Sequence, residues 1–513
     1  MNKILTGFTI LSLLVILFGI NRGFDFSDEG LYALLAVPNQ ANDAGIFNYD
    51  LFFKLFYKIT GIEFGLIGLR ILRLLSCFVA AFSLSVFWKN LSKSKTLSID
   101  IYLISLLGLL EGYAFLPSSL SYNSLSVFWA SIILAILSMN RVPIFSQRWI
   151  HFIVLGISLA ALFYIKLTVC LSLSLLSVFY LVIRKEFNWK VFLGLLIPFL
   201  CLELVFYAFL GDCGILRISQ GFNQIQSRHD YQFLSLFKYT AVGVFWVLLV
   251  AMPFLVLAST HKGHVGRRRI LTSIGICLLL WISYFTFITK EWNHIVLLST
   301  SVLIAWQIGL LKRDSLNSNQ KLWLGILLAM PFLLHFGSNV YFLRLGIHYW
   351  IFWVIALYFI SSKNGSFQSS YPRVVFGLSI LVLLVNGLWL NPFEQEPLWK
   401  ANETWEYKEG KEIMLSKKQV ILLEGLKVYT DNTTSVLAFY RVPGLAYLLG
   451  KTIPKSPGFW DKKQVEFYFP DGISDNLIFY HPHDSLPAGM QPSYQKKTLT
   501  MPNGELLQVL WRD

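Results

Sequence analysis

Charged residues are scarce in this sequence: Asp, Glu, Lys and Arg together make up 14% of its 513 residues. An ordinary soluble domain carries roughly 25% of them. Hydrophobic residues make up 55% of the chain and its mean hydropathy is +0.58. Apolar runs of about 16 to 23 residues recur, close to the ~20 that a membrane helix needs. A soluble enzyme is therefore excluded, and the sequence indicates a polytopic α-helical membrane protein.

Cysteine is also scarce, and its spacing indicates neither a disulfide framework nor a zinc site. The five cysteines form no CxxC pair and lie mostly in apolar runs: Cys77, Cys170, Cys201, Cys213 and Cys277. The sequence further lacks a Walker phosphate loop, a GxSxG elbow, histidines at zinc-site spacing and a repeat between its two halves. The missing repeat argues against the internal symmetry that is typical of many transporters.

Apolar runs bounded by charged or turn residues predict thirteen membrane helices. They lie at residues 4–20, 66–88, 100–116, 122–139, 149–165, 168–183, 191–210, 237–258, 270–289, 294–311, 322–335, 346–361 and 374–391. The first run has no small-residue cleavage site before Asn21, so we expect it to be retained as a membrane helix.

The basic residues predict the orientation of these helices. With the N-terminus in the cytoplasm, 18 Lys and Arg residues fall in cytoplasmic segments and 8 fall in outer loops that precede the C-terminal tail. This is the asymmetry that the positive-inside rule requires. Topology thereby explains most of the net charge of +14, and no nucleic-acid partner is expected. We expect a multi-pass protein of the inner (plasma) membrane.

The composition changes after residue 391, where the predicted transmembrane part, residues 1–391, ends. The C-terminal region, residues 392–513, holds 15 acidic and 14 basic residues. Short alternating runs between Pro and Gly turns predict a small mixed α/β domain there. Because thirteen helices start from the inside, we expect this region on the outer, periplasmic side of the membrane.

The first loop, residues 21–65, is predicted to lie outside and concentrates acidic side chains. It holds six of the fourteen acids of the transmembrane part: Asp25, Asp28, Glu29, Asp43, Asp50 and Glu63. Residues 29–37 and 47–59 have the apolar spacing of amphipathic helices on a membrane surface. Asp28 and Glu29 stand where the first of these helices would begin, so they are either functional carboxylates or a helix N-cap.

Other ionisable residues gather toward the same side of the membrane. They are Arg70 and Arg73 at the start of the second helix, Glu111 and Glu203 in outer helix halves, Lys166 between two helices, and Arg217, Arg228, His229 and Asp230 in a later outer loop. Because an ionisable group at membrane depth costs about 2.5 to 3.5 kcal/mol, such residues usually face a cavity or a partner. Snorkelling from the helix ends and a solvated helix face are the alternatives.

Two stretches resemble the GT-C membrane glycosyltransferases, the aminoarabinose lipid A transferases and the protein O-mannosyltransferases in particular. GFDFSDEGLYALLA and the following GIFNYDLFFKLFYKITGIEFGLIGLRILRLLSCF resemble the family's first outer loop. That loop carries an Asp-Glu pair, a following aromatic, a Gly-containing turn and an Arg that opens the next helix. The matching positions are Asp28, Glu29, Tyr32, Gly61 to Glu63 and Arg70. The stretch around Lys166 resembles the family's helix pair with a lysine at the turn.

The resemblance implies a sugar carried on a polyprenyl phosphate and moved, at the outer membrane face, to a hydroxyl of lipid A, a polysaccharide or a protein. It implies that Asp28 is the catalytic base that takes the acceptor's proton. The implied substrate contacts are Glu29, Tyr32, Asp50 and Arg70, and the implied phosphate ligands are Lys166, Arg217, Arg228 and His229. No metal or other cofactor is expected, since fixed cations can carry the phosphate charge, although an acidic loop could hold a divalent ion.

Two other functions stay open at this point. A lipid-linked glycan transporter or flippase would also be a polytopic membrane protein, although it would favour internal repeats and a charged central cavity. A polysaccharide polymerase or ligase would share the polyprenyl substrate and differ in moving a whole chain in place of a single sugar.

Overall fold

The computed structural model describes the chain except for residues 1–2, 116, 140–144, 228–231, 260–264, 313–314, 365–370, 432, 474–476, 488–493 and 513. The part that precedes residue 391 is almost entirely helical. Its helices are α1 (Lys3–Phe18), α2 (Asp28–Leu35), α3 (Asp50–Thr60), α4 (Leu66–Ser92), α5 (Ile99–Leu110), α6 (Tyr122–Ser138), α7 (Phe145–Ile165), α8 (Leu167–Ile183), α9 (Trp189–Leu210), α10 (Gly214–Ser227), α11 (Phe233–Ser259), α12 (Val265–Thr289), α13 (Asn293–Leu310), α14 (Ser318–His335), α15 (Phe342–Leu345), α16 (Trp350–Lys363) and α17 (Tyr371–Leu384).

Seven of the described helical segments are long and apolar enough to cross a membrane. They are Leu66–Ser92, Trp189–Leu210, Leu234–Ser259, Val265–Thr289, Asn293–Leu310, Phe342–Lys363 and Tyr371–Leu390. The shorter apolar helices are Lys3–Phe18, Tyr122–Ser138, Trp149–Ile165 and Leu167–Ile183. The prediction of a multi-pass helical membrane protein is confirmed. Each of the thirteen apolar runs contains a helix, whereas the number of helices that span the bilayer stays a prediction.

Glycine lets the helices of this bundle approach one another closely. A Cβ added to Gly156 in α7 would lie 2.4 Å from the carbonyl oxygen of Gly194 in α9. A Cβ added to Gly108 in α5 would lie 2.6 Å from a side-chain atom of Ile351 in α16. Small residues at such crossings allow the close van der Waals packing that holds helices together in lipid, where hydrophobic burial offers little driving force.

The first loop contains two short helices, α2 and α3, at the two places where the sequence predicts amphipathic helices. Gly61 ends α3 with a left-handed backbone, φ 69°, a conformation that glycine adopts without strain. The exposed side of α3 carries the apolar side chains of Phe56 and Ile59. Exposed apolar groups on a short helix between membrane helices suit a helix that lies on the bilayer surface.

The C-terminal region is a mixed α/β fold, as the alternating runs predict. Its strands are β1 (Ala401–Lys408), β2 (Lys411–Ser416), β3 (Leu437–Phe439), β4 (Leu477–Tyr480), β5 (Gln495–Thr500) and β6 (Leu506–Trp511), and its helices are α18 (Lys417–Thr430), α19 (Pro443–Leu448) and α20 (Lys462–Tyr468). Strands β1 and β2 form a hairpin. The second sheet has the order β3-β4-β6-β5, in which β3 and β4 are parallel and the other pairs are antiparallel.

Backbone hydrogen bonds join the first loop to the C-terminal region. The N–H of Gly23 donates to the carbonyl of Met414 in β2 at 2.8 Å, and the N–H of Gly444 in α19 donates to the carbonyl of Phe26 at 2.8 Å. A Cβ added to Gly30 in α2 would lie 2.3 Å from the backbone nitrogen of Gly444. Helices α2 and α19 are therefore in backbone contact, which fixes the position of α2 relative to the C-terminal region.

Candidate active site

A cavity of about 270 Å³ lies where the first loop, the segment before α15 and the C-terminal region meet. Its volume is near the lower end of the range for small-molecule sites, which begins at ~300 Å³. Its polar side chains are Ser27, Asp28, Asn42, Asn339, Arg344, Glu394, Arg441, Ser456 and Gln464, and its aromatic side chains are Tyr32, Phe47, Tyr122, Phe393, Trp460 and Tyr468. Charged groups among aromatic walls suit a small polar ligand such as a sugar.

Asp25 holds the first turn of α2. Its carboxylate accepts hydrogen bonds from the backbone N–H groups of Ser27 at 2.8 Å, Asp28 at 2.9 Å and Glu29 at 3.1 Å. A helix leaves its first N–H groups without internal partners, and the helix dipole favours a negative charge at this end. Asp25 therefore caps α2, the role that the sequence analysis left open for Asp28.

Asp28 faces the cavity from the first turn of α2 and is partly buried. Its carboxylate oxygens have no hydrogen-bond or ion-pair partner among the described residues. Burial and, next, the negative charge of Glu394 raise the pKa of the Asp28 carboxyl to about 7, against the opposing effect of Arg441. A carboxyl with a pKa near neutrality and free oxygens can accept a proton from a bound hydroxyl.

The other charged groups of the cavity come from segments distant in sequence. Ser27 donates its hydroxyl to Glu394 at 2.7 Å, which holds this second carboxylate in the cavity wall. The guanidinium of Arg344 also lines the cavity and pairs with Glu291 at 2.9 Å. Arg441 enters the wall from the C-terminal region. Two carboxylates and two guanidinium groups of the described residues thus surround one small volume.

Aromatic rings form a further part of the wall. Phe47 stacks on Tyr122 with ring centres 4.6 Å apart, and Tyr32 meets Tyr122 edge to face at 6.0 Å. Burial and the charge of Asp28 raise the pKa of the Tyr32 phenol above its usual value. Tyr32 therefore stays neutral and can donate a hydrogen bond, while the rings offer apolar faces to a sugar.

Glu29 and Arg70 lie outside the cavity lining, where they form a buried ion pair. Arg70 donates to both carboxylate oxygens of Glu29, at 3.0 and 2.8 Å. It also donates to the backbone carbonyls of Ile20, Arg22 and Gly23. This pair ties the start of α4 to the first loop, and the role of either residue as a direct substrate contact stays a prediction.

Asp50 and Arg217 form a second buried cluster beside the cavity. Arg217 donates to the two oxygens of Asp50 at 2.7 and 2.8 Å and to Asp212 at 2.7 Å. Lys54 adds a further ion pair to Asp50 at 2.8 Å. These cations lower the pKa of Asp50 against the effect of its burial. The cluster joins α3 to α10, and a contact of either residue with substrate stays a prediction.

Lys166 lies in the break between α7 and α8 and is 5% exposed. Its ammonium donates to the carbonyl of Leu334 at 2.9 Å. The ammonium also lies 5.5 Å from the ring centre of Tyr122, a residue that lines the cavity. Arg228 and His229, the other predicted phosphate ligands, lie outside the described residues. Lys166 therefore lies beside a ring of the cavity wall without lining the cavity itself.

No group of three or more His, Cys, Asp or Glu side chains that could hold a metal ion occurs in the part of the chain that the structure describes. The Asp25 oxygens are already used by backbone N–H groups, and Glu394 accepts from Ser27. Whether the site works without a metal stays a prediction.

Sequence reasoning missed four groups of this site: Asp25 as the helix cap, and Arg344, Glu394 and Arg441 as charged members of the cavity wall. Asp25 had a local signal, since it stands three residues before Asp28 in a stretch that begins a helix. The other three come from segments more than 300 residues away from Asp28 along the chain. No local pattern marks such residues, because only tertiary folding brings them to the first loop.

No protein-family model and no curated protein sequence matches the chain. Among solved structures it is similar to the oligosaccharyltransferase of Archaeoglobus fulgidus, in complex with zinc and sulfate, at 11% identity and a TM-score of 0.47, over 98% of this chain and 72% of the other. It is also similar to ArnT of Cupriavidus metallidurans bound to undecaprenyl phosphate, at 10% identity and a TM-score of 0.42, over 98% of this chain and 97% of the other. Both neighbours have the GT-C fold.

Proposed function

We propose that this protein transfers a sugar from a polyprenyl-phosphate donor to an acceptor hydroxyl, with Asp28 as the general base. The observation that carries the proposal is the state of Asp28: its carboxylate faces the cavity without a partner among the described residues, while Asp25 caps the helix in its place. Partial burial of a carboxylate that has no partner among the described residues costs free energy, and a role in proton transfer accounts for it.

The proposed reaction is a direct displacement at the anomeric carbon. The acceptor oxygen forms a bond to that carbon while the bond from the carbon to the phosphate oxygen breaks. The acceptor's proton passes to Asp28, and the electron pair of the broken bond stays on the phosphate. Because attack and departure occur on opposite faces of the sugar, the product has inverted anomeric configuration.

The lipid donor is proposed from the placement of the cavity. The apolar side chains of Phe56 and Ile59 on α3 suit a membrane surface beside the first loop. A polyprenyl chain in the bilayer can present a phosphate-linked sugar to a cavity at this height. Lys166, whose ammonium lies 5.5 Å from the ring centre of Tyr122, is proposed to add positive potential for the phosphate. The acceptor is proposed to be lipid A, a surface polysaccharide or a protein.

The proposed location is the outer face of the inner membrane, with the C-terminal region, residues 392–513, in the periplasm as a domain distinct from the transmembrane part, residues 1–391. The distribution of basic residues supports this orientation. The cavity is shared between the first loop and the C-terminal region, so both lie on one side of the membrane.

Mass analysis of surface glycolipids, polysaccharides and glycoproteins tests the proposal in cells with the gene present, deleted, or replaced by variants. Deletion should remove one sugar from one acceptor class, and the Asp28→Asn variant should fail to restore it. Asp43→Asn is the matched control, because Asp43 is an exposed carboxylate of the same loop that does not line the cavity. A lipid-linked glycan that accumulates uncleaved on the inner leaflet would contradict transfer and support a flippase, whereas loss of whole chains would support a polymerase or ligase.

A further inference from the structure

The proposed displacement needs a cation that the donor phosphate can reach. When the bond from the sugar to oxygen breaks, a phosphodiester with one negative charge becomes a phosphomonoester that can carry two. A group that binds the second charge stabilises the transition state more than the ground state, which is the condition for catalysis. A suitable cation must therefore line the cavity and have no acidic partner of its own.

Most of the nearby cations are already neutralised. Arg70 pairs with Glu29, Arg217 pairs with both Asp50 and Asp212, and Arg344 pairs with Glu291. The pairs of Arg70 with Glu29 and of Arg217 with Asp50 are buried and costly to break. The pair of Arg344 with Glu291 is partly exposed, and a phosphate at Arg344 would still have to compete with that carboxylate. Lys166 has no acidic partner among the described residues, but its ammonium donates to the carbonyl of Leu334 and Lys166 does not line the cavity.

Arg441 differs from these cations in its partners and in its access to the cavity. Its side chain is exposed, lines the cavity and has no ion-pair or hydrogen-bond partner among the described residues. The Arg441 backbone is left-handed, φ 61°, a conformation that side chains other than glycine seldom adopt and that clusters at functional sites. Its N–H is held by the carbonyl of Phe459 at 3.1 Å.

Backbone contacts hold the segment around Arg441 against α2. Arg441 precedes α19 by two residues, and Gly444 in α19 donates its N–H to the carbonyl of Phe26 at 2.8 Å. Gly30, two residues after Asp28 in α2, lies so close to Gly444 that an added Cβ would be 2.3 Å from the Gly444 nitrogen. These contacts bring the backbone of Arg441 close to α2, and Asp28 and Arg441 both line the cavity.

We propose that Arg441 binds the phosphate of the lipid-linked donor, so that the C-terminal region supplies the cation for the leaving group. This inference rests on the proposed transfer from a polyprenyl phosphate. Arg441 stabilises the charge that the phosphate gains as the sugar leaves, while Asp28 takes the acceptor's proton. The planar guanidinium can bind two phosphate oxygens at once, which a lysine ammonium cannot.

Binding of undecaprenyl phosphate to the purified full-length protein in lipid nanodiscs tests this role. Arg441→Gln should weaken binding roughly 10- to 100-fold, as expected for the loss of charge-assisted hydrogen bonds. Arg441→Lys, which keeps the charge, should lose less. Binding of undecaprenol, which has the same chain without the phosphate, should be equal in wild type and both variants. Lys427→Gln, an exposed charge loss on the same region and away from the cavity, is the control.

Each alternative outcome has a distinct meaning. Undecaprenyl phosphate affinity unchanged in Arg441→Gln would overturn the inference, and so would equal weakening of undecaprenol binding, which would indicate altered folding. In Arg441→Gln, inorganic phosphate could inhibit transfer less strongly while the affinity for undecaprenyl phosphate stays unchanged. That result would assign Arg441 to an anionic group of the acceptor and would also overturn the inference. Wild-type protein that binds no undecaprenyl phosphate would instead contradict the proposed donor, and hence the proposed function itself.

Discussion

Replacement of Asp28 by Asn separates catalysis from structure at this position. The amide has the shape of the carboxylate but cannot take a proton at neutral pH. Because Asp25, and not Asp28, accepts the N–H groups of the first turn of α2, the substitution leaves the helix cap intact. Asp28→Asn should therefore fold and bind donor as the wild type does, and lose transfer.

The expected size of the loss follows from the role. A general base contributes typically 10²- to 10⁴-fold to a rate, equal to about 3 to 5 kcal/mol of transition-state stabilisation. The Asp28 carboxyl should also make the free energy of unfolding depend on pH, and here ionisation lowers stability while it raises the rate of transfer. Since burial and Glu394 raise the pKa of Asp28 from 3.8 to about 7, the folded wild type loses stability as the pH rises from about 4 through 7. The variant should lack this loss.

The pH profile of transfer is the sharpest assay. The wild-type rate at low substrate should rise with pH through about 7 and then level off, because only ionised Asp28 accepts a proton. Glu394→Gln removes the negative charge that helps to raise this pKa, and its amide oxygen can still accept from Ser27. That variant should shift the profile to lower pH and keep its plateau.

Two results would refute this reasoning. Near-normal transfer by folded Asp28→Asn would show that the base is another group. A profile that stays in place in Glu394→Gln, in a folded protein, would show that the titrating group is not Asp28. Melting temperature and donor binding, measured on the same preparations, distinguish a catalytic loss from an unfolded protein.

Three further predictions concern structure and topology. Glu29→Gln leaves the Arg70 guanidinium buried with an uncompensated charge and should cost about 3 to 5 kcal/mol of stability, seen as a lower melting temperature, whereas an unchanged value would favour a substrate role for Glu29. Gly30→Ala places a Cβ 2.3 Å from the nitrogen of Gly444 and should lower the free energy of unfolding by about 1 to 3 kcal/mol through overpacking. Gly61 is exposed and sits at a left-handed turn with open space around it. Gly61→Ala should therefore leave the cavity unchanged, as measured by donor affinity. A reporter active only in the cytoplasm, fused after the last residue, should be silent, and its activity would contradict the outer placement of the C-terminal region.

The sequence predicted those elements whose signals are local. Apolar run length predicted the positions of the membrane helices, and 3.6-residue periodicity predicted α2 and α3. Several boundaries were wrong. The helix expected over 270–289 begins at Val265 and the α-helix expected over 346–361 begins at Trp350. The helix expected over 100–116 ends at Leu110, and a tighter turn, Glu111–Ala114, follows it. The apolar composition continues through this turn, so hydropathy alone does not mark the end.

The candidate site was predicted only in part, because ion pairs and cavity walls depend on tertiary contacts. The acidic first loop identified Asp28 and Glu29 together, yet the fold separates them: one faces the cavity and the other faces Arg70. Adjacent helical residues point about 100° apart, so neighbouring side chains can enter different surroundings. Arg441 had no local signal, since its importance comes from the docking of α19 on α2.

The pairing of charges divides the ionisable groups in and around the cavity into two kinds. Arg70 is satisfied by Glu29 and by backbone carbonyls at distances of 3.0 Å or less, and such complete pairing explains its burial by structure alone. Asp28 and Arg441 lie in one cavity wall and are not paired with each other or with any other described residue. The Asp28 carboxylate can therefore accept a proton from a ligand, and the Arg441 guanidinium can bind a negatively charged group of a ligand. An acceptor hydroxyl and a donor phosphate together form such a ligand pair, and this is why the unpaired state of both residues favours group transfer over a purely structural role.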